Sequence, residues 1–177
     1  MKKNLFIKLL APALMVSGSG FLFSCNTVDD GDYVPPFTQY EKISGQWAIN
    51  SVTQTDEAAN KKMTLTDLFN FKSFGIQLSV DDDNNPTTYQ ISGTAPALIP
   101  TSGTWKMANA FVNSDGSAPQ MILNDDVYLT VSGVPGSKRE LEFKLTRTQN
   151  GKPFVSYTYN LAEVENVPST PAETPNE

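Results

Sequence analysis

Side-chain chemistry has few footholds in this chain. It holds one cysteine, Cys25, and no histidine among 177 residues. Without histidine there is no Ser-His-Asp or Cys-His pair, no zinc site built on imidazole and no charge switch near neutral pH. A lone cysteine forms no disulfide within the chain. What remains is carboxylate chemistry. Glu140 and Glu142 stand two apart beside Lys144, and glycoside hydrolysis needs two carboxyl groups flanking a cleft at roughly 5 to 9 Å. Leu141 and Phe143 alternate with these glutamates and claim the buried face, which turns the acids toward water. The sequence therefore predicts no enzyme, and a carboxylate-dependent glycan hydrolase is the rival reading. Asp81, Asp83 and Asn85 alternate like the opening of an EF-hand calcium loop. That loop also needs glycine at its sixth position and glutamate at its twelfth, where this chain has Pro86 and Ser92. A solvated acidic turn is the expectation, with no metal and no cofactor.

Cys25 offers a different chemistry. Lys2 and Lys3 open the chain, and an apolar stretch from Leu9 to Phe23 follows. It is short for a membrane span and suits the apolar region of a signal peptide. Leu22-Phe23-Ser24-Cys25 resembles the lipobox of bacterial lipoproteins. The resemblance implies removal of residues 1–24, lipidation of the Cys25 thiol and acylation, such as with palmitate, of its new amino terminus. Several acyl chains on one residue anchor stably, whereas one binds marginally. Asp29, Asp30 and Asp32 follow closely, and this cluster resembles the export signal that sends Bacteroidota lipoproteins to the outer face of the outer membrane. The implied location is the outer membrane, lipid-anchored, with the domain facing the exterior.

Loss of Lys2, Lys3 and Lys8 with the leader leaves 10 basic against 19 acidic residues, 10 − 19 = −9. Such a balance disfavours nucleic acid and anionic headgroups as partners. Residues 25–42 read as the lipidated cysteine and a tether, charged and containing Pro35-Pro36. The 17 residues after Cys25 could extend about 55 Å. Residues 164–177, with Pro168, Pro171 and Pro175, read as a disordered tail.

The elements between the tails, residues 43–163, are strands. Phe74, Ile76, Leu78 and Val80 alternate with Ser73, Gly75, Gln77 and Ser79, and a period of two marks a strand with one buried face. The same alternation begins at Trp47 and Ile49, and recurs at Tyr89 and Ile91, Trp105 and Met107, Met121 and Leu123. It continues at Val127, Leu129 and Val131, at Leu141, Phe143 and Leu145, and at Val155, Tyr157, Tyr159 and Leu161. Asn150-Gly151 joins the last two strands and suits a type I′ turn. Thr64 to Phe71 reads as a short helix, with Leu65, Leu68 and Phe69 as its apolar stripe. Eight antiparallel strands with one short helix after the first predict an all-β, up-and-down barrel; a β-sandwich is the competitor.

Several segments carry a family resemblance in order: Ser44-Gly45-Gln46-Trp47, Phe71-Lys72-Ser73-Phe74, Thr88-Tyr89-Gln90-Ile91, Gly103-Thr104-Trp105-Lys106 and Arg139 to Leu145. Residues 43–162 are similar to the lipocalin-like domains of unknown function in Bacteroidota lipoproteins. The resemblance implies a barrel and an envelope location, and no reaction.

A non-catalytic binding role follows, with an apolar small molecule, a glycan or an envelope protein as partner. Eight-stranded barrels either fill their interior or hold one small ligand. The inward residues are bulky and uncharged, which favours a packed core. If an apolar guest enters, Leu65, Leu68, Phe69 and Phe71 form its gate, with Trp47 and Trp105 beneath. Glycan binding would use exposed aromatics such as Tyr33, Phe37, Tyr40 and Tyr128.

Overall fold

The structure, a computed structural model, describes residues 36–165. The expected signal peptide, Cys25, most of the tether and nearly all of the tail lie outside the described residues.

The first packed element lies within the expected tether. Thr38-Gln39-Tyr40-Glu41 forms a capping box: the Glu41 amide donates to the Thr38 hydroxyl at 3.3 Å, and the Thr38 amide donates to the Glu41 carboxylate at 2.6 Å. This satisfies amides that a helix start leaves unpaired and sets α1, Gln39–Ile43. Gln39 and Ile43 are buried, so the domain begins a few residues before 43.

Nine strands follow among the described residues: β1 Gly45–Asp56, β2 Lys61–Thr64, β3 Gly75–Val80, β4 Pro86–Ser92, β5 Ser102–Met107, β6 Gln120–Leu123, β7 Val127–Gly133, β8 Glu140–Gln149 and β9 Lys152–Glu163. From β3 to β9 each pairs antiparallel with the next, β1 pairs with β3, and β9 returns to β1. Eight strands thus close a barrel, which leaves no free edge among them. The register sets inward residues side by side: Trp47 opposite Ile76, Leu78 opposite Tyr89, Trp105 opposite Leu123, Val131 opposite Phe143, and Phe143 opposite Tyr159. All are buried, as the alternation requires.

The ninth strand, β2, is additional. Along Gly45–Ala48, β1 pairs with β3; along Thr53–Asp56 the same side pairs with β2. A register irregularity between Ile49 and Ser51 lies at the changeover. The helix expected at 64–71 is not an α-helix. Turns run from Thr66 to Asn70, and one 3-10 turn spans Phe71–Ser73. Phe69 and Asn70 take φ of 52° and 59°, in the left-handed region that cannot propagate a right-handed helix.

Strand directions divide the loops between two poles. The near pole carries α1, the start of β1, the β3–β4 turn, residues 108–119 between β5 and β6, residues 134–139 between β7 and β8, and the end of β9. The far pole carries the β1–β2 turn, the 65–74 segment, residues 93–101, the β6–β7 turn and Asn150-Gly151. Asn150 and Gly151 have φ of 51° and 73°, as a type I′ turn demands.

Candidate binding surface

The barrel interior is occupied by side chains. Phe143 stacks on Tyr159 at a centroid distance of 5.1 Å, Phe74 lies 5.0 Å from the same ring, and Phe71 meets it edge-on at 6.3 Å. Tyr159 is fully buried and its hydroxyl has no hydrogen-bond partner. Burial pushes the tyrosine's pKa far above its ordinary value, with Tyr157 adding to the rise and Arg147 opposing it. A partly enclosed cavity of about 40 Å³ lies beneath the 93–101 loop, lined by Phe74, Ile91, Leu98 and Ile99 among others. Ligand pockets run to about 300–1,000 Å³, and one water takes about 30 Å³ of liquid. This void is water-sized. Two hydrogen bonds tie the loop above it: Tyr89 Oη to the Pro100 carbonyl at 3.1 Å and Arg147 Nη2 to the Leu98 carbonyl at 2.5 Å.

The six residues expected to form a pocket and gate separate into two groups. Trp47, Trp105, Leu65 and Phe71 are buried. The Trp47 Nε1 donates to the Ile43 carbonyl of α1 at 2.8 Å and the Trp105 Nε1 to the Ser79 carbonyl of β3 at 2.8 Å, so each indole is bonded to the domain's own backbone. Leu68 and Phe69 point outward, Phe69 at 69% exposure. The backbone explains this split, since the left-handed turn at Phe69-Asn70 projects one side chain out while Phe71 inserts into the core.

Glu140 and Glu142 line one open surface groove of about 460 Å³, with Ser132, Lys138 and Asn160. Both oxygens of Glu142 are engaged, Oε1 by the Ser132 hydroxyl at 2.6 Å and Oε2 by the Asn160 amide at 3.5 Å. On the same outer wall, Glu57 accepts from the Ser156 hydroxyl at 2.5 Å and pairs with Lys144 at 2.8 Å. Those two partners, Lys144 first, hold the Glu57 carboxyl below its usual range. The wall is a fixed polar surface.

The Asp81 carboxylate turns inward on its own loop. Its Oδ1 accepts from the amides of Asp83 at 3.0 Å and Asn85 at 2.7 Å, an Asx turn. Among the described residues no cluster of three or more acids, histidines or cysteines could hold a metal ion.

Exposed large apolar side chains gather at the two poles. Met63, Leu68, Phe69 and Phe154 belong to the far half; Phe37, Phe111 and Val112 belong to the near pole; Tyr128 stands on the wall. Of these, Met63, Phe111, Val112 and Phe154 escape the sequence reading. Phe111-Val112 sits among Asn109, Asn113, Ser114 and Asp115 with no alternating partner, so its only signal is apolarity inside a turn-rich stretch. No helix among the described residues is long and apolar enough to cross a membrane.

No curated protein and no solved structure matches the chain. One family model does, over residues 24–162, which takes in every strand of the barrel apart from the last residue of β9. On that match the chain belongs to the family described as a domain of unknown function, DUF5004.

Proposed function

We propose that this protein is a lipid-anchored lipoprotein of the outer membrane, facing the exterior, with a non-catalytic binding role carried by the outside of a filled barrel. The carrying observation is Phe69, an aromatic side chain held 69% exposed by a φ of 52°. Non-glycine residues seldom adopt that conformation, and strained positions cluster at ligand clamps and switch regions. With Leu68 beside it and Met63 on the same half, Phe69 makes an apolar rim suited to an envelope protein. Support for the anchor comes from the Leu22-Phe23-Ser24-Cys25 sequence, and the family's shared region opens at residue 24, one residue before Cys25.

Three experiments test this reading. Cys25→Ser should abolish acylation and release the protein from the membrane fraction; retention of the variant overturns the anchor. Protease shaving of intact cells should remove the domain, and replacing Asp29, Asp30 and Asp32 should protect it. For the rim, a photo-crosslinking residue at position 69 should give a discrete adduct on intact cells that one at Lys152 does not. Equal labelling at both sites removes the rim from consideration.

A second reading, glycan binding, is favoured by the open groove of Ser132, Lys138, Glu140, Glu142 and Asn160. Titration calorimetry with a panel of neutral and charged polysaccharides, using Glu140→Gln as control, separates it from the first.

A further inference from the structure

The near pole has an apolar surface of its own. Phe37, Phe111 and Val112 are 70%, 51% and 72% exposed. They flank a single hydrogen bond, from the Gln39 amide to the Ala110 carbonyl at 2.7 Å, which ties α1 to the β5–β6 loop. Phe37 lies two residues before that bond and Phe111 immediately after it, so the bond brings the two exposed apolar segments to the same part of the near pole.

We infer that this pole rests on the lipid bilayer, with Phe37, Phe111 and Val112 entering the boundary between headgroups and acyl chains. The inference depends on the lipidation of Cys25 proposed above and adds an orientation to it. Ten residues separate Cys25 from Pro36, and a chain of that length reaches about 36 Å when fully extended. An acylated Cys25 therefore holds Phe37 within about 36 Å of the membrane, and the near pole is the one to which the tether joins. The chemistry of the loop suits an uncharged interface. Asn109, Asn113, Ser114 and Ser117 surround the apolar pair, and the only ionised group among residues 109–117 is Asp115, whose Oδ1 accepts from the Ser117 amide at 2.9 Å and its hydroxyl at 2.7 Å. With no lysine or arginine in this loop, contact comes from apolar insertion and not from attraction to anionic lipid. Orientation matters for the reading above, because a domain seated on its near pole turns Phe69 away from the membrane.

The test uses the full chain purified with its lipid and placed in phosphatidylcholine vesicles, with and without brominated acyl chains. Trp47 and Trp105 are buried and give a constant background. Phe111→Trp should add emission that shifts to the blue on vesicles and falls by about half with brominated lipid, whereas Tyr128→Trp, on the barrel wall, should be unaffected. Intact-mass measurement on the same sample reads acylation. An acylated Phe111→Trp protein whose added emission is unquenched and water-like overturns the inference and leaves the anchor standing. A blue shift without quenching assigns the patch to a second copy of this chain and also overturns it. An unacylated mass overturns the anchor, and the inference with it.

Discussion

The rings of Phe143 and Tyr159 face each other across the β8–β9 pair, 5.1 Å apart and inclined by 22°, at the centre of an aromatic group that fills the barrel. The stack retains the packing value of tyrosine but gives its hydroxyl nothing to bond. Tyr159→Phe should therefore raise stability by up to about 1 to 2 kcal/mol, because a buried unpaired hydroxyl costs that much to desolvate. The midpoint of urea unfolding measures it.

Alkaline pH probes the same residue. Burial raises the Tyr159 pKa above that of the unfolded chain. The unfolded tyrosine releases its proton near pH 10 while the folded one keeps it. Tyr159's contribution is then complete below about pH 10 and lost as pH climbs above it. Stability measured from pH 8 to 11 should fall less steeply in Tyr159→Phe than in the unaltered protein. Tyr89, also raised chiefly by burial, accounts for a residual slope.

Trp47 closes the near pole from inside and bonds the Ile43 carbonyl. Trp47→Ala should cost about 3 to 5 kcal/mol by leaving a cavity and an unpaired carbonyl. Trp47→Phe should cost less and leave the fold intact. Thermal unfolding followed by circular dichroism distinguishes the two.

Gly103 takes φ of 153°, and a Cβ there would sit 1.7 Å from Asn124 Oδ1. That oxygen accepts from the Thr104 amide at 2.9 Å, while the same side chain donates to Tyr89 Oη and the Ser102 carbonyl. Gly103→Ala forces Asn124 out of three hydrogen bonds and should destabilise by more than about 3 kcal/mol. Asn124→Ala alone should cost about 1 to 3 kcal/mol, and combining the two should cost little more than Gly103→Ala, a non-additivity readable in a double-mutant cycle.

Thr38 and Glu41 set the near pole. The Thr38 hydroxyl, then the Thr38 amide, lowers the Glu41 pKa. A depressed carboxyl stabilises the fold above its unfolded value near pH 4.3, and the benefit disappears as pH falls through the folded value. Thr38→Ala should remove a helix cap worth about 1 kcal/mol at neutral pH. It should also flatten the loss between pH 5 and 3 in an acid titration of stability.

The barrel strands were legible because each buries one face against the same core, so a period of two survives even in the four residues of β6. β2 offered no such mark: Lys61, Lys62, Met63 and Thr64 are all exposed, and a strand without a buried face has no pattern. α1 announced itself only through Thr38 and Glu41, three apart in a proline-containing stretch. The 64–71 segment misled because Leu65, Leu68 and Phe69 carry helical spacing, while the positive φ at Phe69 and Asn70 is decided by where Phe71 must insert. The surface clusters depend on which loops share a pole, and that is fixed by the closure of β9 on β1, a pairing between distant stretches of the chain such as Trp47 with Glu163.

That closure has a mechanical consequence. β1 takes any pull delivered through the chain at Pro36, and it is held by β9 from Trp47 to Asp56 as well as by β3 and β2. Load applied at the far pole against such a pull runs along the strands, so the interstrand bonds of β1 are sheared together and not peeled one by one. A domain tugged from its Phe69 rim should yield at far higher force than one tugged from Glu163, where β9 can unzip from its end.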